Sequence, residues 1–124
     1  MTKPLALIFY ERLLPGSQLV NRLHDLEYRV ETLTEAALLP KAAQEKRPLV
    51  MILDLVSKGV NICDLIRELK VQPSTSHIPI IGFADQNQKK LHDQAVKNGA
   101  DLVAYDDALL PQLPQLLEHA LHVE

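Results

Sequence analysis

The chain has 124 residues, of which 47% are hydrophobic and 23% charged, with a formal net charge of -3. That length suits a single domain over residues 1–124, and the blend of apolar and oppositely charged residues excludes a disordered or fibrous chain. No apolar run approaches the roughly 20 residues of a membrane-spanning helix. The lone Cys63 excludes disulfide and CxxC frameworks. A pI near 5.9 without a basic tract argues against nucleic acid as a partner. A soluble, cytoplasmic domain, neither membrane-bound nor nucleic-acid-binding, is expected.

Five short runs rich in Val, Ile and Leu read as strands: Leu5 to Tyr10, a weaker Tyr28 to Leu33, Leu49 to Val56, Ile78 to Phe83, and Asp101 to Tyr105. The third, LVMILDLV, is apolar on consecutive residues, as in a central parallel strand covered on both faces. After the first run, Leu19, Val20, Leu23 and Leu26 mark a helix, with Ser17 as the expected N-cap behind Pro15-Gly16. Pro40 would break a helix begun at Thr34, so the second helix is placed from about Leu39 to Arg47. Ile62, Leu65, Ile66 and Leu69 form the third stripe, capped by Asn61 and ended before Pro73. Gln86 to Asn98 is the fourth, closed by Gly99. A short turn around Ala108 to Pro111 then leads into the stripe Leu113, Leu116, Leu117, Ala120 and Leu121, with Pro114 in its first turn.

Five strands, each followed by a helix, give an α/β chain of (βα)5 type. Right-handed crossovers then favour a flavodoxin-like, doubly wound parallel five-stranded sheet of order 2-1-3-4-5, a three-layer sandwich.

In such a sheet ligands and chemistry sit at the carboxyl ends of the strands, where strand order reverses. Tyr10, Glu11 and Arg12 arrive there from the first strand, Asp54 from the third, Ala84 and Asp85 from the fourth, and Tyr105, Asp106 and Asp107 from the fifth. Asp54 interrupts an apolar run, and an unpartnered buried charge is costly, so it is expected at the solvent-open end of its strand. An Asp there can also simply begin a loop or cap a helix. Rival chemistries lack their parts: one hydroxyl follows the first strand where a flavin phosphate cradle needs several, and Gly16 stands alone where a dinucleotide fold needs GxGxxG. Cys63 follows Ile62 in the third helix and reads as a small core or surface residue. The five histidines are scattered; His119 and His122 share a helix but lack a third metal ligand.

Three stretches, RPLVMILDLVSKGVNICDLIRELK, VQPSTSHIPIIGFA and AVKNGADLVAY, resemble the receiver domains of bacterial response regulators, the group that includes chemotaxis receivers. The resemblance runs over essentially the whole chain. It implies an acidic pair and a phospho-accepting Asp around Mg²⁺, a Thr or Ser after the fourth strand, and a Lys after the fifth. Position by position, Asp54 matches the phospho-acceptor and the metal ligand. The acidic pair falls on Tyr10 and Glu11, leaving one carboxylate, so Asp54 and Glu11 would hold Mg²⁺ only weakly. The hydroxyl position falls on Ala84, and the Lys position on Asp106, or on Tyr105 if the register slips by one. A carboxylate about 6 Å from a phosphoryl group, at an effective dielectric near 20, costs on the order of 3 kcal/mol where attraction is needed.

These departures imply a degenerate, stand-alone receiver, or pseudo-receiver: a non-enzymatic signalling module that binds other proteins without conventional phosphorylation and needs no cofactor. A histidine kinase or an output protein is the implied partner, and a homodimer is compatible with the family. The implied docking face comprises Lys89, Lys90, Lys97, Tyr105, Asp107, Leu109 and Leu110. Two other readings stay open: a working single-domain response regulator phosphorylated on Asp54, and a small-molecule or nucleotide site in the same crevice.

Overall fold

The computed structural model describes residues 3–121. Five parallel strands, β1 (Leu5–Phe9), β2 (Arg29–Leu33), β3 (Val50–Asp54), β4 (Ile80–Ala84) and β5 (Leu102–Tyr105), form one sheet of order β2-β1-β3-β4-β5. The helices are α1 (Leu13–Asp25), α2 (Leu39–Lys46), α3 (Ile62–Val71), α4 (Lys89–Lys97), a single-turn α5 (Asp106–Leu109) and α6 (Leu113–Leu121). A 3-10 turn, Ala36–Leu38, precedes α2. The expected topology is therefore present, with one helical turn more than the five expected helices.

The strands alternate sides. Leu7, Phe9, Met51 and Leu53 face a core shared with α2, α3 and α4, whereas Ala6, Ile8, Val50 and Ile52 face one shared with α1, α5 and α6. Every residue of β1, β3 and β4 is buried, which is why these runs lack a polar alternation. The edge strands β2 and β5 are partly exposed and read more weakly. Asp54 continues the even-numbered side of β3 and so turns toward the α1 and α5 face.

The local signals act largely as expected in the third and fourth units. The Asn61 side chain accepts from the Asp64 backbone N–H at 3.2 Å and caps α3. Gln72, the residue before Pro73, is extended and ends that helix. Gly99 has φ +113, a conformation that side chains resist.

The first helix departs from expectation. It begins at Leu13, with Arg12 and not Ser17 at the N-cap, and Pro15 and Gly16 lie inside its first turns. Proline is tolerated there because the first N–H groups of a helix have no intrahelical acceptor. The Gly16 N–H already donates to the Arg12 carbonyl at 3.2 Å. The Ser17 hydroxyl instead donates back to the Leu14 carbonyl at 3.4 Å. This early start fixes Arg12 at the mouth of the crevice.

Candidate functional site

Three segments converge at the carboxyl edge of the sheet: the β1–α1 junction, the end of β3 and the start of α5. The Arg12 guanidinium bridges them. Its Nε and one terminal nitrogen donate to the two oxygens of Asp54 at 3.0 and 2.7 Å. Its terminal nitrogens also donate to the two oxygens of Asp106 at 2.6 and 3.2 Å. The same guanidinium carbon lies 5.8 Å from the centre of the Phe83 ring. Hydrogen bonding to Asp54 raises the Arg12 pKa above its ordinary value, against the desolvation that opposes it, and Asp106 adds to the rise. Arg12 is a fixed cation.

Asp54 was expected at a solvent-open strand end; its side chain is 0% exposed. The physical reason is the partner set: two charge-assisted bonds from Arg12 and a third from the Val56 backbone N–H at 3.0 Å offset its desolvation. The last of these is an Asx turn, so Asp54 does begin its loop as well. Asp106, expected to add uncompensated negative charge, is neutralised by the same Arg12. Two carboxylates and one guanidinium leave this triad one net negative charge instead of two.

Glu11 is directed elsewhere. Its carboxylate accepts from the Ser57 hydroxyl and from the Lys58 backbone N–H, holding the β3–α3 loop. Tyr10 is half-buried and lies against α1: a Cβ at Gly16 would stand 2.0 Å from the Tyr10 Cδ2 atom. Gly16 is thus what admits the tyrosine ring. Ala84 is completely buried, and its carbonyl and that of Asp85 lie 3.2 and 3.3 Å from Nε2 of His92. Two carbonyl acceptors at that nitrogen assign it the proton. The buried His92 ring also meets Tyr105 edge-on, 4.7 Å between centroids, while Tyr105 remains 43% exposed.

On the expected docking face, Lys89, Lys90, Lys97, Tyr105 and Asp107 are exposed and Leu110 is half-buried. Leu109 is not available: it is 1% exposed and belongs to the core beneath α1 and α6. The cause is α5, which starts directly after β5 and turns Leu109 inward. Of the core and surface placements open to Cys63, the core one is found: it is buried, with Sγ 3.6 Å from the Leu91 carbonyl. His119 is exposed, and His122 lies outside the described residues.

Sequence reasoning brought Arg12 to the crevice without giving it a role, and left His92 among the scattered histidines. Arg12 carried a signal: a cation stands beside the acidic-pair position and an acid at the lysine position, a compensating exchange of sign. His92 carried only its spacing of three from Ala95 on the inner stripe of α4.

Comparison with known proteins bears on the fold. No protein-family model matches the chain, and no curated protein matches it in sequence. Among solved structures it is similar to the receiver domain of the sensor histidine kinase PA1611 from Pseudomonas aeruginosa PAO1, described with a magnesium ion coordinated in its active-site cleft. That match has a TM-score of 0.86 and 15% identity, and covers 97% of this chain and 98% of that one. It is also similar to the receiver domain of NtrX from Brucella abortus, with a TM-score of 0.85, 18% identity, and coverage of 96% and 99%. The chemotaxis response regulator CheY4 of Vibrio cholerae gives a TM-score of 0.77, 18% identity, and coverage of 93% and 99%. The chain therefore has the receiver fold.

Proposed function

We propose that this chain is a degenerate receiver, a non-enzymatic signalling module that binds other proteins and does not rely on phosphotransfer through Asp54. The observation that carries this reading is the position of Arg12 on both oxygens of Asp54 and on Asp106. A phospho-accepting carboxylate needs one oxygen free to attack and a cation that can later hold the phosphoryl group. Here both oxygens accept hydrogen bonds from a tethered guanidinium, and Asp106 adds no cation. Ala84 offers no hydroxyl to a phosphoryl oxygen. The receiver-like crevice is thus filled from within by its own positive charge.

The donor set does not fit magnesium. That ion takes near-octahedral oxygen ligands at about 2.0–2.1 Å, and Asp54 and Glu11 are committed to different partners with Arg12 beside the first. Among the described residues no group of three His, Cys, Asp or Glu side chains is placed to hold a metal. Such a domain acts by binding a partner protein, with a histidine kinase or an output protein as the class the receiver fold suggests. Exposed Tyr105, Lys89, Lys90, Lys97 and Asp107, with half-buried Leu110, are the residues assigned to that contact. A buried free thiol suits a reducing, cytoplasmic setting.

The test is incubation with acetyl phosphate and Mg²⁺, read by intact mass. Wild type is expected to gain no stable adduct of about 80 Da, the mass of a phosphoryl group. A variant combining Tyr10→Asp, Ala84→Thr and Asp106→Lys, which reinstates the missing parts, with Arg12→Ala, which frees Asp54, is expected to gain one. A wild-type adduct that disappears in Asp54→Asn would overturn the proposal and establish a working response regulator.

A further inference from the structure

A cavity lies at the other end of the molecule, where the strands begin. It has a volume of about 630 Å³, well within the range of about 300–1,000 Å³ for small-molecule sites. Three strand entries supply its walls through Pro4-Leu5, Pro48-Leu49 and Ile78-Pro79, and Ala120 and Leu121 close it from the end of α6. Around this aliphatic interior stand Lys3, Arg29, Lys46, Arg47 and His77. No Asp or Glu, and no Ser, Thr, Asn or Gln, is among the described lining residues. In a chain with 16 acidic and 13 basic residues, that segregation of charge is informative.

The backbone contributes little to recognition here. Prolines at three of the entries have no N–H to offer. The carbonyls of Pro4, Leu5 and Pro79 already accept from Arg29, Leu49 and Met51 at 2.8, 2.8 and 2.9 Å. Polar recognition is thus left to the cationic side chains. Lys46 pairs with Glu31 at 2.8 Å and Lys3 with Glu27 at 3.9 Å, through glutamates that are not among the lining residues. Among the described residues Arg29 and Arg47 have no ion-pair partner. Arg47 ends α2 in a left-handed conformation, φ 48, which swings the chain into Pro48 at the cavity wall.

We infer that this cavity is a binding site for a small amphipathic anion, an aliphatic chain bearing one carboxylate or phosphate head that pairs with Arg29 and Arg47. An aliphatic body is favoured over a nucleotide base because the described walls are mainly Leu, Ile, Pro and Ala, hold no Phe, Tyr or Trp ring, and offer no side-chain amide or hydroxyl to read a base edge. The site is independent of the Arg12 crevice and of whether the domain is phosphorylated.

The inference is tested with decanoate and decyl phosphate, each below its micellar concentration, by calorimetry and by NMR shifts of the Leu5, Leu49 and Ile78 methyls. Saturable one-to-one binding is expected, with shifts confined to this end, and weakened by about tenfold or more in Arg29→Glu/Arg47→Glu. Arg47→Gln reads the same loss if the double variant does not fold. The better of the two ligands identifies the head group. Equal binding of decanol would reduce the site to an apolar groove, saturation by inorganic phosphate alone would reduce it to a basic patch, and preferential binding of AMP would contradict the aliphatic assignment. Any of these, shifts elsewhere, or undiminished affinity in the variants overturns the inference.

Discussion

Arg12 and Asp54 form a two-pronged ion pair, at 3.0 and 2.7 Å, in which the carboxylate is completely buried and the guanidinium is partly open to solvent. The pair joins the N-cap of α1 to the end of the central strand. Through Asp106 the same guanidinium also holds the start of α5. One side chain therefore closes the functional edge of the sheet and fixes three of its junctions at once.

Removing Arg12 is expected to cost more than an ordinary ion pair. Arg12→Ala leaves Asp54 buried without a counter-charge, a loss of about 3 kcal/mol, the lower end of the range for breaking buried pairs because Arg12 is partly exposed. Arg12→Lys should recover only part of this, since an ammonium cannot match a planar two-pronged contact. Arg12→Ala combined with Asp54→Ala should be more stable than Arg12→Ala alone. Urea unfolding of the cycle checks this, and strict additivity of the two single losses would count against the coupling.

Gly16 and Tyr10 make a second testable pair. A methyl at Gly16 would collide with the tyrosine ring, so Gly16→Ala is expected to destabilise by about 1–3 kcal/mol despite the better helix propensity of alanine. Tyr10→Ala in the same chain should relieve the collision and return part of that stability. If Gly16→Ala raises the melting temperature, Tyr10 is not held against α1.

The sheet was legible because β1, β3 and β4 are buried on both faces and so spell uninterrupted apolar runs. Strand order followed from handedness and from covering both faces. The start of α1 was not legible, because Pro15-Gly16 is compatible with both a turn and a first helical turn. Asp54 was placed at the correct strand end, but its burial was missed because that depends on a partner 42 residues away. The exchange of sign between Arg12 and Asp106 was written in the sequence, yet only contact across 94 residues turns two apparent defects into one paired arrangement. The basic cavity was out of reach for the same reason, since its walls come from separate strand entries and the end of α6.

Leu109 and Tyr105 should now separate folding from docking. Leu109→Glu places a carboxylate in the core beneath α1 and α6 and is expected to cost several kcal/mol, about 3 or more, and to unfold the domain at modest temperature. Tyr105→Ala removes a half-exposed ring and its edge contact with His92, at about 1 kcal/mol. Only Tyr105→Ala is thus suited to probing partner binding, by cross-linking or pull-down with a folded protein verified by circular dichroism. A Leu109→Glu variant with wild-type stability would contradict the inward placement of that residue.

Cys63 supplies the prediction for alkaline pH. Burial pushes its thiol above the ordinary value of 9.0, and the charge of neighbouring Asp64 acts in the same direction. In the window from that value up to the folded-state pKa, the unfolded chain releases its proton while the native chain keeps it. The native state then binds more protons, so stability falls as pH rises through this window and is unaffected by Cys63 below it. Tyr28, also raised by burial, adds a similar loss at higher pH. Cys63→Ala should lower stability at neutral pH through lost packing and show a shallower decline above pH 9. Urea unfolding across pH 7 to 10 measures both slopes, and parallel slopes would remove Cys63 as a source of the loss. Iodoacetamide gives an independent reading: at pH 8 the native thiol should react far more slowly than in urea, and equal rates would contradict its burial.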